Sequence, residues 1–175
     1  MNSTHQSHAM AQVTLTPING FLILMTLVVV IGAFLVLNHI LGLTEVWAAF
    51  LFLLYWGGID HAKMETLPAC IIGAVLGLLL AASLRQLPLW LGNAAGFSVF
   101  LAAILILVYC QIMGWLKLAV NMMTMLFLTV GTIPLIQRGL KLSGTLISLA
   151  VGIAYFAGLV WAVQRLQKKS QRQVA

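Results

Sequence analysis

Residues 55–66 read YWGGIDHAKMET. Four ionisable residues fall within six positions of this stretch: Asp60, His61, Lys63 and Glu65. Only 7% of the 175-residue chain is charged, so the cluster is unusual for this sequence. It follows Gly57-Gly58, and glycine is unfavourable in a helix interior. The stretch therefore predicts that an apolar helix ends early and continues into a polar connection.

The sequence around this stretch is strongly apolar. Hydrophobic residues make up 62% of the chain, and its mean hydropathy is +1.09. A soluble domain cannot bury that much apolar surface, so the composition indicates an integral membrane protein in a lipid bilayer. We predict one transmembrane helical domain at 18–163, with a disordered polar tail at 1–17 and a basic tail at 164–175.

The apolar runs predict an all-α polytopic protein with about six transmembrane helices. A crossing helix needs roughly 20 apolar residues. The segments are 18–40, 44–58, 66–84, 88–112, 118–136 and 143–163, of which the second is too short to span comfortably. Five spans are the alternative, because the proline, glycines and asparagine between 88 and 96 could form an interfacial or re-entrant piece.

Basic residues orient the chain, because cytoplasmic loops retain lysine and arginine. With six spans, one side of the membrane holds six of them: Lys63, Lys117, Arg165, Lys168, Lys169 and Arg172. The other side holds three: Arg85, Arg138 and Lys141. This distribution predicts that both termini are cytoplasmic. The net charge of +6 is explained by attraction to anionic lipid head groups, without nucleic acid as a partner.

The chain also contains signs of an internal repeat. FLLYWGG at 52–58 aligns with FLTVGT at 127–132, a shift of about 75. Small residues recur at four-residue spacing in the following helices, where they would let helices pack closely. These helix-packing candidates include Gly73, Gly77, Gly144 and Gly152. Two inverted three-helix repeats are one interpretation, and tight packing without a repeat is the other.

The polar turn after Gly57-Gly58 has two interpretations. In an ordinary cytoplasmic turn, Asp60 and Glu65 would counter the positive end of the next helix. In the functional interpretation, Asp60 and His61 line a polar vestibule that Tyr55 and Trp56 shape. A histidine there could gate access.

A second polar group lies in the fifth segment, where Asn121 and Thr124 are three positions apart on one predicted helical face. Such side chains inside a bundle either bond neighbouring helices or line a water path, and both interpretations stay open. Cys70 and Cys110 form no metal-like spacing with the histidines. We therefore predict neither a metal site nor a cofactor.

Residues 44–77 read TEVWAAFLFLLYWGGIDHAKMETLPACIIGAVLG. The region 44–84 resembles a family of small uncharacterised bacterial inner-membrane proteins in which Trp and Phe precede a Gly-Gly break and a Gly-rich helix. The residues that carry the resemblance are Trp47, Phe50, Gly57, Gly58, Gly73 and Gly77. The Asp60 to Glu65 cluster lies outside the shared pattern. The resemblance implies a bacterial inner-membrane location and a helical architecture, and it brings no activity.

An enzymatic function is not expected, because the chain has one aspartate, one loop histidine and no HExxH motif. We predict a passive or weakly gated channel or facilitator for a small neutral or weakly polar solute, assembled as a homo-oligomer. Its pathway or mouth would comprise Tyr55, Trp56, Asp60, His61, Glu65, Asn121 and Thr124. The alternative is an accessory or structural subunit of a membrane complex without its own pathway.

Overall fold

A computed structural model describes residues 17–174, apart from the side chains of Ile23 and residues 167–174. Every regular element in this range is helical, which confirms the predicted all-α class. The elements in chain order are α1 (Pro17–Ile40), α2 (Trp47–Leu53), a π-helical segment (Leu54–Ile59), α3 (Leu67–Leu91), α4 (Asn93–Met113), α5 (Met122–Gly131), α6 (Pro134–Gly139) and α7 (Leu142–Val174).

Four helices are long and apolar enough to cross a membrane: α1, α3, α4 and the Leu142–Leu166 part of α7. Two further apolar stretches are shorter, Trp47–Ile59 and Met122–Gly131. At 1.5 Å per residue they cover about 20 Å and about 15 Å, against about 30 Å of hydrocarbon. The chain is therefore a multi-pass helical membrane protein whose second and fifth apolar segments are short.

The third helix is longer than predicted. It ends at Leu91 instead of before Arg85, and Pro88 lies inside it. Proline in a helix interior removes a hydrogen bond and crowds the preceding turn, so an earlier stop was expected. Gly92 reverses the chain at φ +82, which favours glycine, and a Cβ at Gly96 would lie 2.4 Å from the Pro88 nitrogen. The tight return of α4 stabilises the end of α3.

The core lies between α2, the π segment, α3, α5 and α7. Each short segment packs on one long helix: α2 on α7, and α5 on α3. The outer helices pack on the same two long helices, α1 on α7 and α4 on α3. Large side chains that are fully buried in this core are Phe34, Phe52, Trp56, Leu78, Met123, Phe127 and Leu149.

Helix α1 is attached to the core by one aromatic cluster. The Phe34 ring lies 4.8 Å from the Phe156 ring and 5.7 Å from the Phe50 ring, measured between centroids. The Tyr155 hydroxyl donates a hydrogen bond of 3.0 Å to the Val30 carbonyl. Only 6% of the most apolar part of α1 is buried, so most of this helix is left for lipid or another protein.

The two predicted tails differ in how far the structure describes them. Residues 1–16 of the predicted tail 1–17 lie outside the described residues, and Pro17 begins α1. At the other end, α7 continues to Val174. The segment predicted as a basic tail is therefore helical as far as Val174.

Candidate functional site

The helix break at Gly57-Gly58 takes the form of a π-helical segment, Leu54–Ile59, that continues α2 directly. Single π turns are rare within helices and frequently mark functional sites. Neither glycine is tightly packed: a Cβ at Gly57 would meet only Leu53 at 3.4 Å, and one at Gly58 would meet nothing within 4 Å. Neither glycine therefore makes a close helix contact, and neither has the positive φ that favours glycine.

Trp56 projects from this segment into the core, where it is fully buried. Its indole N–H donates a hydrogen bond of 3.0 Å to the Lys63 carbonyl. Its ring lies 6.1 Å from the Phe52 ring between centroids. Trp56 thus fills the core beside α7 and ties the polar turn to the helix that precedes it.

The turn itself is strained. His61 and Ala62 both have φ of +53, in the left-handed region that non-glycine residues rarely adopt. The Ala62 N–H donates to the Trp56 carbonyl at 2.8 Å. Two successive residues are thereby held in an unfavourable conformation, and such strain is found at functional sites.

The ionisable groups of the turn lie in different environments. Asp60 is half-buried, and its carboxylate accepts a hydrogen bond of 3.2 Å from the Cys70 thiol in the first turn of α3. His61 and Glu65 are exposed, whereas Tyr55 is half-buried. The structure therefore brings Asp60 to α3 but leaves His61 and Glu65 at the surface.

Asn121 and Thr124 form a capping box at the start of α5. The Asn121 side-chain oxygen accepts from the Thr124 N–H at 3.2 Å, and the Asn121 N–H donates to the Thr124 hydroxyl oxygen at 3.4 Å. The two residues do not lie on one helical face as predicted, because Asn121 is extended, at φ −139. Asparagine is among the preferred N-cap residues, so Asn121 could have indicated a helix start here.

The same residues join α5 to α3. The Asn121 amide donates a hydrogen bond of 2.9 Å to the Ala69 carbonyl, next to the Cys70 thiol that contacts Asp60. Thr124 is fully buried, and its hydroxyl donates to the Ala119 carbonyl at 2.6 Å. Asp60 and Asn121 therefore meet the first turn of α3 at neighbouring positions, although they are far apart in sequence.

Three of the four predicted packing glycines lie at close helix contacts. A Cβ at Gly73 would be 2.4 Å from the Asn121 side-chain oxygen, and one at Gly77 would be 2.6 Å from the Thr124 carbonyl oxygen. At Gly152 it would lie 2.4 Å from the Ala49 Cβ. Gly144 is looser, with Lys141 nearest at 3.8 Å. Close approach of α5 to α3 and of α2 to α7 depends on the first three.

Sequence reasoning missed several buried polar side chains. Ser148 is fully buried on α7, and its hydroxyl oxygen has no hydrogen-bond partner. Asn38 is buried near the end of α1, with its amide donating to the Phe34 carbonyl at 2.8 Å. Gln137 on α6 donates to the Ala81 carbonyl at 2.8 Å. Asn38 and Gln137 lie near helix ends, and Ser148 lies in a row of small residues. Nothing in the sequence therefore marked these three side chains as buried.

Two larger cavities lie outside the packed centre. A groove of about 850 Å³ runs between α1, α2 and the π segment, with almost wholly apolar lining that includes Ile31, Phe50 and Leu54. A cavity of about 470 Å³ is lined by Arg85, Gln137 and Arg138 near the end of α3. Among the described residues, no group of three His, Cys, Asp or Glu side chains could hold a metal ion.

No protein-family model, curated protein or solved structure matches this chain. The site is therefore interpreted from its own geometry.

Proposed function

We propose that the protein is a small-solute facilitator built from two inverted halves of three apolar segments each, α1 to α3 and α4 to α7, with the six-residue α6 as a connection in the second half. Both termini would be cytoplasmic, in the inner membrane of a bacterium. Element positions support the two halves: α2 begins at Trp47 and α5 at Met122, 75 positions later. Likewise α3 begins at Leu67 and α7 at Leu142, also 75 positions later.

Packing contacts support the same relation. Gly77 on α3 meets Thr124 on α5, and Gly152 on α7 meets Ala49 on α2. Gly77 and Gly152 are 75 positions apart, and so are Ala49 and Thr124. An odd number of spans in each half makes the second half run in the opposite direction, which is the arrangement of many secondary transporters.

The two short segments are the candidate pathway elements. In transporters of this type, interrupted helices meet near the middle of the membrane, where they bind the solute. Here Phe52 and Phe127 occupy related positions on α2 and α5, and both are fully buried. With Trp56 they fill the centre, so the described state is closed and passage would need movement of the π segment.

We assign Trp56 as the plug of this closed state. The strained turn at His61 and Ala62 and the π segment offer a two-state element that could withdraw the indole. The proposed mouth residues Tyr55, Asp60, His61 and Glu65 surround that turn, whereas Asn121 and Thr124 lie at the start of α5. The uncharged centre favours a small neutral or weakly polar solute. On this proposal each protomer of a homo-oligomer carries its own path.

A second candidate function is that of an accessory subunit in a membrane complex. The observation that favours it is the groove of about 850 Å³ beside α1, a helix that contributes little to the core. A helix of another membrane protein could pack there by van der Waals contact. In that case the chain would purify with that protein and carry no solute alone.

Stopped-flow swelling of proteoliposomes with small neutral solutes tests the transport proposal. Trp56→Ala should speed swelling by opening the plug, and Asn121→Leu should slow it. Trp161→Ala is the matched control, because Trp161 is half exposed on α7 and should leave the rate unchanged. Trp56→Phe serves as the milder variant where the alanine variant elutes as an aggregate.

Swelling no faster than in protein-free liposomes, from folded wild-type protein, would remove the transport proposal for that panel. A speed-up by Trp161→Ala equal to that of Trp56→Ala would remove the plug assignment, because the effect would then be a general loosening.

A further inference from the structure

A cavity of about 470 Å³ near the end of α3 is lined by two arginines in an otherwise apolar protein. Arg85 on α3 and Gln137 and Arg138 on α6 line it, together with the apolar Leu84 and Pro134. We call it the arginine pocket. A smaller cavity of about 120 Å³ adjoins it, lined in part by Arg85 and Gln137.

Among the residues that the structure describes, no acidic residue lines the pocket with the two arginines. Arg85 follows Leu67, the first residue of α3, by 18 positions, so about 27 Å of helix separates it from the turn that holds Asp60 and Glu65. The third acid, Glu45, accepts the Trp47 indole N–H at 2.9 Å. Two guanidinium groups therefore share one pocket with no carboxylate in its lining.

Gln137 forms part of the wall of this pocket. Its amide nitrogen donates to the Ala81 and Gly131 carbonyls, which holds the side chain between α3 and α5. Its side-chain oxygen is enclosed by protein atoms and accepts no hydrogen bond, so a molecule in the pocket does not reach it. Gln137 therefore positions the wall, and the two arginines are the groups that can bind a ligand.

We propose that the arginine pocket binds a phosphate group. The phosphate oxygens accept from Arg85 and Arg138, whose planar forks suit bidentate recognition. The source is inorganic phosphate or the phosphate of a phospholipid head group, and the two arms of the experiment below distinguish these sources. The proposal rests on the pocket alone and not on the transport function.

The location of the pocket agrees with this chemistry. Arg85 and Arg138 belong to the three basic residues that run against the positive-inside distribution of the other six. An anion held between them gives these charges a partner. The apolar walls formed by Leu84 and Pro134 are suited to the glycerol or acyl part of a lipid as well.

Binding is measured on the full chain in a maltoside detergent, which contains no phosphate. One arm titrates inorganic phosphate against chloride at equal ionic strength, with line broadening of the phosphorus NMR signal as the readout. The other arm adds short-chain phosphatidylglycerol, with phosphatidylcholine as the zwitterionic head group for comparison, and counts bound lipids by native mass spectrometry.

The test variant is Arg85→Gln with Arg138→Gln. We expect its affinity for the bound probe to fall by about tenfold or more, because both charge-assisted contacts are lost. The matched control is Lys117→Gln with Arg165→Gln, which removes the same charge outside the pocket and should change affinity by less than about twofold. Far-UV circular dichroism and size-exclusion elution verify folding of both.

Each outcome decides the proposal. Arginine-dependent binding of inorganic phosphate identifies a free anion, and arginine-dependent binding of phosphatidylglycerol alone identifies a lipid head group. An equal loss in both double variants, or no binding of either probe, overturns it. If the glutamine variant does not fold, Arg85→Lys with Arg138→Lys replaces it, and undiminished binding there overturns bidentate recognition. A negative swelling experiment leaves these results unaffected.

Discussion

At Gly152, α7 approaches α2 so closely that an added methyl group does not fit. Its Cβ would lie 2.4 Å from the Ala49 Cβ and 3.2 Å from the Ala49 Cα. Gly158, two turns later on the same helix, has nothing within 4 Å of the same position. The two glycines therefore have different roles although their sequence surroundings are alike, and small residues at the close contact let the helices pack.

Gly152→Ala should destabilise the protein by roughly 1–3 kcal/mol, because the new methyl group forces α7 away from α2. Gly158→Ala should be neutral or stabilising, since alanine is favoured over glycine in a helix and its methyl group meets nothing. Thermal unfolding in mild detergent, followed by tryptophan fluorescence, measures both. Equal melting temperatures for the two variants would contradict the close contact.

The backbone of His61 is strained, because a φ of +53 costs a residue with a side chain roughly 1–2 kcal/mol. His61→Gly should therefore raise the stability relative to His61→Ala by about 1 kcal/mol. Both variants lose the exposed imidazole, so the difference between them isolates the backbone. A denaturant titration that ranks the alanine variant as the more stable one would disprove the strained turn.

Helix α5 is short, and its stability depends on the contacts at its N-terminus. Its ten residues follow the capping box of Asn121 and Thr124, and Asn121 also bonds the Ala69 carbonyl of α3. An isolated helix of this length is marginal, so caps and tertiary contacts carry its stability. The π segment that follows α2 is stabilised differently. Its Trp56 side chain is buried and donates a hydrogen bond to the Lys63 carbonyl, which holds the irregular end of the helix in place.

Asn121→Ala should destabilise the start of α5 by about 1–2 kcal/mol, because both the cap and the bond to Ala69 are lost. Thr129→Ala is the control on the same helix, since its exposed hydroxyl bonds only the Met125 carbonyl one turn earlier. Hydrogen exchange with peptide-level mass spectrometry should show faster exchange around residues 122–126 in the first variant only. Unchanged exchange in Asn121→Ala would mean that the cap does not stabilise α5.

The topology of the whole molecule depends on which loops lie on the same side of the membrane. On the proposed two-half arrangement, the turns at Lys63 and Lys117 are on one side, and Lys141 is on the other. The closely packed pairs, α3 with α5 and α2 with α7, each join the two halves, so separation of the halves would disrupt both contacts.

Cysteine labelling tests this arrangement in a background with Cys70→Ala and Cys110→Ala. Single cysteines at Lys63 and Lys117 should react with an impermeant maleimide only from the cytoplasmic side, and one at Lys141 only from the opposite side. Labelling of Lys63→Cys and Lys117→Cys from opposite sides would favour the five-span alternative and remove the inverted halves.

The sequence alone was sufficient for the membrane class, for the apolar helices α1, α4 and α7, and for the break at Gly57-Gly58, whereas the fifth segment, predicted at 118–136, forms only the ten residues of α5. These follow from local quantities, namely apolar length and the low helix propensity of glycine. The end of α3 at Leu91 was not predictable, because the helix continues through Pro88 only where α4 packs against it.

Candidate-site residues were recognised by type, but their contacts required the tertiary structure. Asp60 bonds Cys70, and Asn121 bonds Ala69, 52 positions away. Arg85 and Arg138 line one cavity although they lie on different helices. Helix formation is decided within a few turns of chain, whereas these pairings exist only after the helices dock, since docking alone sets which distant polar groups meet.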